Sequence, residues 1–314
     1  MSDTKRRSRL KPKPKKTRKR GDNHQIRITD NDIAIFFILQ RYRYLPINFI
    51  FELLPAKRNY KKFQERLTDL SGHGYLHRPE QQFDAYNAYY KKITYELGKK
   101  GKEQLALLGE NLEISIGVGN SYHHEALTCL IIASIEIACR GYRFKHWPDI
   151  LRMPKIPEST RESSTPFHLP LIGMKQKSQV PDGTPFCIVS ESNLLCFPGI
   201  ETDMGTEVLN GNRRVTIKRK LEGYVNITKH RTYKTHYGLP NMIVPFVTTS
   251  ERRMKNMIHL LDQVTNSKGA SNIIFSHTEH LRSSKDSPDP VDLLQSEWLR
   301  AGHEPFNFEE KLGQ

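Results

Sequence analysis

The hydrophobic period of this chain switches between helical and strand-like and never runs long, which limits it to a mixed architecture of short elements. Thr29 opens the first helical period, with Asp32 at capping-box spacing and Ile33, Phe36, Phe37 and Gln40 following at helical intervals. Pro46 starts a second short helix over 47–54, as a proline favoured in a first turn does. A third helix over 59–70 turns Phe63, Leu67 and Leu70 inward and stops at Gly72 and Gly74. Tyr75-Leu76 and residues 89–97 read as strands, with Tyr86, Tyr89 and Tyr90 packing a wing, and a helix over 99–108 closes the segment.

Charge separates one end from the rest. Residues 1–20 hold eleven Lys and Arg, Arg18, Lys19 and Arg20 among them, against a single Asp; the whole chain of 314 residues is +15, so the remainder is only mildly basic. Dense like charge with hardly an apolar residue predicts a disordered basic tail over 1–25. A polyanionic partner follows, with double-stranded DNA first. A membrane span is excluded, because the most apolar stretch, 126–139, is broken by Thr128, Ser134 and Glu136 and falls short of the roughly 20 residues required. The basic start leads into no apolar segment, so no secretory signal is expected. Cys129, Cys139, Cys187 and Cys196 match no zinc spacing and have apolar neighbours, which predicts buried free thiols in a cytoplasmic protein.

The order of three short helices and a two-stranded ribbon is that of a winged helix-turn-helix over 26–110, carried by Leu67-x-x-Leu70-x-x-x-Gly74-Tyr75-Leu76. Its third helix would present Lys61, Lys62, Gln64 and Arg66, beside Glu65, to the major groove. A linker is expected over 111–120, and then the character changes. A long apolar helix over 122–140 precedes a strand at 142–147 and a polar loop or insertion at 153–180. Apolar runs at 185–189 and 194–200 follow, then a helix over 213–237, a strand at 242–248, a helix over 251–264 and a last strand at 273–275. Alternating strands and helices predict a mixed-sheet α/β domain over 121–282 and, with the first domain, an α+β or α/β fold overall. Residues 283–314 read as a polar tail that wraps or frays.

Carboxylates in the second domain suggest chemistry. Glu125 lies on the long helix after His123 and His124. Asp182 sits in the turn Pro181-Asp182-Gly183, and Glu201-Thr202-Asp203 ends a strand with its two acids on one face. Lys218, Lys220 and Tyr224 lie on the next helix. Converging carboxylates suit a hard cation such as Mg2+, with Asp182 and Glu201 as ligands, and a lysine can stabilise charge developing on a phosphodiester. The plainer reading makes Asp182 a turn residue and the strand-end acids solvated. Adjacent histidines on a helix point about 100° apart and cannot share one ion from the same face, so His123 and His124 read as cap or core residues, with Glu125 facing the site. Neither a Walker A motif nor a dinucleotide fingerprint occurs.

This order of Glu125, Pro181-Asp182, a hairpin, Glu201-x-Asp203 and a basic helix resembles the restriction-endonuclease-like core, whose signature is Pro-Asp followed by Asp/Glu-x-Lys. Asp203 stands where that signature has lysine, and Lys220 is the residue that would replace it. The whole layout, including Lys220-Leu221-x-x-Tyr224 and Val247-Thr248-Thr249-Ser250-x-Arg252, resembles the replication-relaxation family over residues 29–276. The resemblance implies a cytoplasmic DNA-binding protein of bacterial plasmids or mobile elements, acting in replication or DNA relaxation. It implies a nuclease-like domain with Glu125, Asp182, Glu201, Asp203 and Lys220 as its catalytic set, and a homodimer or replication and mobilisation proteins as further partners. The alternatives are an active Mg2+-dependent endodeoxyribonuclease, or a transcriptional regulator or interaction module built on a dead nuclease fold.

Overall fold

The computed structural model describes residues 26–55, 59–84, 92–110, 121–139, 141–211, 216–278 and 288–313. The tail with Arg18, Lys19 and Arg20, the linker at 111–120 and the tyrosines Tyr86, Tyr89 and Tyr90 lie outside the described residues.

Helix α1 (Asp30–Tyr42) starts where the Thr29–Asp32 spacing predicts: Asp32 Oδ2 accepts from the Thr29 amide at 2.8 Å and hydroxyl at 2.7 Å. Strand β1 (Leu45–Pro46) leads directly into α2 (Ile47–Leu53). Asn59 caps α3 (Tyr60–Gly72) by accepting from the Lys62 amide at 3.2 Å, and Gly74 turns the chain at φ 80°. Strands β2 (Leu76–His77) and β3 (Thr94–Leu97) pair antiparallel, β1 takes the other edge of β3, and α4 (Lys99–Leu107) follows.

Ser121 caps α5 (Tyr122–Ala138), whose apolar residues are buried on several sides, as expected of a helix enclosed by other elements. One apolar cluster runs unbroken from α1, α2 and α3 into α5 and on to Leu293, Trp298 and Phe308. Polar contacts cross the same boundary. The Tyr42 hydroxyl donates to Glu136, and Trp147 Nε1 donates to the Arg41 carbonyl at 3.2 Å.

Strand β4 (Arg143–His146) and the short helices α6 (Trp147–Leu151) and α7 (Glu158–Arg161) precede a two-stranded hairpin of β5 (Leu169–Pro170) and β6 (Ser178–Gln179). The polar segment 153–180 is therefore ordered, held by sparse apolar anchors such as Ile156 and Leu169 rather than by a periodic face. β7 (Phe186–Val189) and β8 (Leu194–Phe197) join β4 in an antiparallel sheet of order β4-β7-β8.

β9 (Glu201–Asp203) starts a different sheet, so the apolar run at 194–200 divides at Pro198-Gly199. The expected helix over 213–237 also divides: Arg231 at φ 54° separates α8 (Ile217–His230) from α9 (Thr232–Tyr237). β10 (Val244–Thr248) pairs in parallel with β9 on one side and on the other with β11 (Ile273–His277), which follows α10 (Glu251–Val264).

The polar C-terminal segment does not fray over its described part. β12 (Trp298–Arg300) and β13 (His303–Phe306) extend the sheet to the order β13-β12-β11-β10-β9, and α11 (Phe308–Gly313) packs behind. Average polarity conceals its anchors, because Leu293, Trp298 and Phe308 are buried at irregular spacing. The architecture is mixed α and β with several small sheets, consistent with the α+β expectation.

Candidate functional site

Glu201 opens β9 opposite Phe246 of β10, while Pro181-Asp182-Gly183 folds against the turn at Pro198-Gly199. The glycines make that approach possible. A Cβ on Gly199 would stand 2.2 Å from Pro181 Cβ, and one on Gly183 would stand 2.4 Å from Ile200 Cγ2. With the backbones this close, the Thr202 amide donates to Asp182 Oδ2 at 3.0 Å and fixes the carboxylate beside the strand.

Helix α8 supplies the counter-charge. Thr216 caps it by accepting from the Arg219 amide at 3.2 Å, and Ile217, Lys220, Leu221, Tyr224 and Ile227 form its buried face. Spacing by four puts Lys220 and Tyr224 over Glu201 together. Lys220 Nζ is 3.0 Å from Asp182 Oδ2, 2.8 Å from Glu201 Oε2 and 3.0 Å from Glu207 Oε1. The contact with Glu201 Oε2 is an ion pair without hydrogen-bond alignment; that buried oxygen and Glu207 Oε2 have no hydrogen-bond donor. The Tyr224 hydroxyl donates to Glu201 Oε1 at 2.5 Å, and Gln179 Nε2 of the β5–β6 hairpin donates to the same oxygen at 3.4 Å.

Burial and proximity split the two carboxylates. Burial raises the pKa of Asp182, but the Lys220 ammonium and His124 outweigh it and hold the carboxyl below its ordinary value. Burial pushes Glu201 up, and the Asp182 charge adds to the rise against the opposing pull of Lys220. The two acids around one ammonium are thus driven apart, Asp182 downward and Glu201 upward. Lys220 itself is raised despite its burial, because Glu201, Asp182 and Glu207 all favour the cation.

Asp182, Glu201 and Lys220 of the expected set come together here. Glu125 and Asp203 are placed elsewhere. Glu125 Oε2 meets Arg43 Nη1 at 2.8 Å, and its neighbour His124 takes the position beside the cluster, with Nε2 donating to the Thr202 carbonyl at 2.8 Å and lying 3.5 Å from Asp182 Oδ2. The step between adjacent helical residues separates the two roles, in the reverse of the order read from the sequence. Burial lowers the His124 pKa, but the Asp182 hydrogen bond and charge and the Thr202 carbonyl raise it overall. Asp203 turns to α10, where Arg253 grips both of its oxygens at 2.8 and 2.9 Å.

Among the described residues, His124, Asp182 and Glu207 each offer a ligand atom within 4.8 Å of the others. Glu207 comes from the irregular stretch after β9, where no periodicity marks it. On α3, Lys61, Lys62 and Gln64 are exposed. Arg66 is committed inward: Nε reaches Asp32 Oδ1 at 2.9 Å, and Nη2 reaches Asp32 Oδ2 at 2.5 Å and the Arg27 carbonyl at 2.7 Å. No helix among the described residues is long and apolar enough to cross a membrane.

A basic protein of mixed α and β structure, with a carboxylate–lysine centre between a sheet edge and a helix, is the class that fold and geometry define. The replication-relaxation family model matches residues 37–243, about two thirds of the chain, and that span contains Lys220 and its three carboxylate partners Asp182, Glu201 and Glu207. The chain belongs to the replication-relaxation family, and membership supports a role in the replication or relaxation of mobile elements. No curated protein and no solved structure is significantly similar to it.

Proposed function

We propose that this is a DNA-binding protein in which residues 26–110 form a winged helix-turn-helix and residues 121–282 a restriction-endonuclease-like core. The carrying observation is the setting of α3. Phe63, Leu67 and Leu70 anchor it, the β2–β3 pair lies next along the chain, and Lys61, Lys62 and Gln64 face outward. Exposed ammonium and amide groups on one helix suit contacts to phosphates and base edges in a major groove. Arg66 acts here by fixing α3 to α1 through Asp32. The basic segment 1–20 adds affinity that is independent of sequence.

Fluorescence anisotropy with duplex panels over a salt series tests this reading. The Lys61→Ala/Lys62→Ala variant loses discrimination between duplexes while keeping most of its salt slope. Deleting residues 1–20 flattens the slope and keeps discrimination, because each neutralised phosphate releases counterions. Discrimination unchanged in the double variant would move recognition off α3.

A second reading, a Mg2+-dependent endonuclease, is favoured by the meeting of Asp182, Glu201 and Lys220 around one point. The donor set fits a divalent cation: carboxylate oxygens from Asp182 and Glu201, with Glu207 and His124 adjacent, and two buried carboxylate oxygens lacking hydrogen-bond donors. Such an ion would polarise a phosphodiester and activate water. Asp182 and Glu201 would hold it, Tyr224 would orient Glu201 through its hydrogen bond, and Lys220 would stabilise charge on the phosphate. Nicking of supercoiled DNA with Mg2+ or Mn2+, compared with Asp182→Ala and Glu201→Ala, tests this. Activity lost in both variants supports it; activity equal in all three proteins is contamination, and activity in none leaves a binding module with a nuclease-like shape.

A further inference from the structure

The second half of the chain carries a cationic surface of its own, at the corner where α8 passes into α9. Lys229 and His230 end α8, Arg231 turns the chain at φ 54°, ψ 31°, and Lys234 follows on α9; all four are exposed. The β5–β6 hairpin adds Lys175 and Lys177 at its tip, exposed as well. None of these six residues makes an ion pair among the described residues. Glu222, half-buried, is the single acid of α8.

The hairpin is fastened to the helix that it extends. Asn226 accepts from the Ile172 amide at 3.0 Å and donates to the Ile172 carbonyl at 2.8 Å, and the Thr232 hydroxyl donates to the Pro170 carbonyl at 3.0 Å. At the root of the hairpin Gln179 lies against Gly223, where a Cβ would stand 2.7 Å from its Oε1. Asn226 precedes Lys229 by one helical turn, so this clamp seats the hairpin tip beside the cationic end of α8. Cations in a last turn are stabilised by the helix dipole, which accounts for Lys229, His230 and Lys234. Lys175 and Lys177 belong to no helix, and beside those cations they add repulsion that a polyanion would relieve.

We propose that the hairpin tip and the α8–α9 corner form a second contact surface for the phosphate backbone of duplex DNA, separate from α3 and indifferent to sequence. Ammonium groups act on phosphates as point charges and position a duplex without reading its bases. The same hairpin sends Gln179 to Glu201, and α8 rises about 14 Å from Lys220 to Lys229, so this corner stands at a set distance from the Asp182–Glu201–Lys220 centre. An anionic membrane is the rival occupant, because Ile172 and Val180 are 49% and 40% exposed on the hairpin. They stand at its opposite ends and form no single apolar patch to insert, and a role in replication or relaxation favours DNA. This inference rests on the DNA-binding reading above.

The test uses the full chain, a fluorescein-labelled duplex and anisotropy from low to moderate NaCl, with thermal unfolding in parallel. Lys175→Gln/Lys177→Gln and Lys229→Gln/Lys234→Gln are each expected to weaken binding several-fold and to lower the salt slope by about one or two phosphate contacts. The quadruple variant loses more of both, while discrimination between duplexes and Tm stay as in wild type. Lys255→Gln/Lys311→Gln removes the same charge from α10 and α11 and is expected to leave affinity and slope unchanged. Wild-type affinity and slope in the quadruple variant would overturn the proposal, and so would an equal loss in the α10–α11 control, which would make the effect one of net charge. Binding to phosphatidylglycerol vesicles lost in the quadruple variant, with duplex binding intact, would give the surface to a membrane and overturn it too. A wild-type protein that binds no duplex would instead overturn the DNA-binding reading, and this inference with it.

Discussion

Asp203 and Arg253 form a two-pronged ion pair, Nε to Oδ2 at 2.8 Å and Nη2 to Oδ1 at 2.9 Å, and the Thr248 hydroxyl donates to the same Oδ2 at 2.8 Å. This occupies the carboxylate that stands where the nuclease signature has lysine. Asp203 is 3% exposed, so removing Arg253 strands a buried charge. Arg253→Ala is expected to cost about 3–5 kcal/mol in urea unfolding. Asp203→Asn is expected to leave cation binding at the Asp182 centre as in wild type. A matching loss of cation binding in calorimetry would return Asp203 to the site.

Asp182 and Glu201 should respond to pH in opposite directions. The folded pKa of Asp182 is depressed, so its contribution is present above the unfolded value near 3.8 and is lost as pH falls through the folded value. Asp182→Asn therefore lowers Tm at neutral pH, and the difference from wild type closes in acid. Glu201 is raised, so wild type loses stability as pH climbs above the unfolded value near 4.5 towards the folded one. Glu201→Gln escapes that loss and gains on wild type from the unfolded value near 4.5 up to the folded value of about 8, above which the gap stays constant. Tm curves of the three proteins from about pH 2 to about pH 8 decide the matter, because the Asp182 difference changes only below its ordinary value, and parallel curves over that whole span would refute the split.

Asp32 is 1% exposed yet ionised against burial, its carboxyl held low by Arg66 and by the Thr29 hydroxyl and amide. Arg66→Ala should accordingly cost about 3 kcal/mol, near the lower limit for breaking a buried pair, whereas Lys61→Ala or Lys62→Ala on the same helix should change stability by less than about 0.5 kcal/mol. The Asp32 contribution disappears as pH drops below the ordinary aspartate range, so the Arg66→Ala penalty shrinks in acid. Equal penalties for all three variants would dissolve the division between an anchoring and a reading face of α3.

Lys220 Nζ lies within 3.0 Å of three carboxylate oxygens. A divalent cation bound to those oxygens at about 2.0–2.6 Å would need the space that the ammonium occupies. Lys220→Gln should therefore bind Mn2+ more tightly than wild type, by about tenfold or more if one unit charge at this depth is the chief competitor. Isothermal titration calorimetry measures it, with Asp182→Asn as the control that binds less. Equal affinity in wild type and Lys220→Gln would mean that ion and ammonium use different oxygens.

Short-range signals carried most of the local structure. Thr29 and Asp32 announced α1, Pro46 the start of α2 and Gly74 the turn after α3, because caps and turns act over three or four residues. The meeting of Asp182, Glu201 and Lys220 was readable through a family pattern, but their partners were not. His124 and Glu125 differ by one helical step, and nothing in a single apolar helix tells which side meets a distant turn. Glu207 and Gln179 come from segments without periodicity, and Arg253 is one of two adjacent arginines. The C-terminal strands were missed because their burial rests on isolated large side chains rather than on alternation.

The closure of the main sheet by β12 and β13 bears on how the chain must be made. β11 lies beside β10 in the parallel part of the sheet, and among the described residues its other edge is covered by residues 298–300. Until those residues emerge from the ribosome, a nascent chain displays an open row of amides and carbonyls, and the pockets of Leu293 and Trp298 lie empty. A product stalled or clipped before Trp298 is then a sticky-edged species rather than a smaller working protein, and two such products meeting in the cell would pair through their open β11 edges.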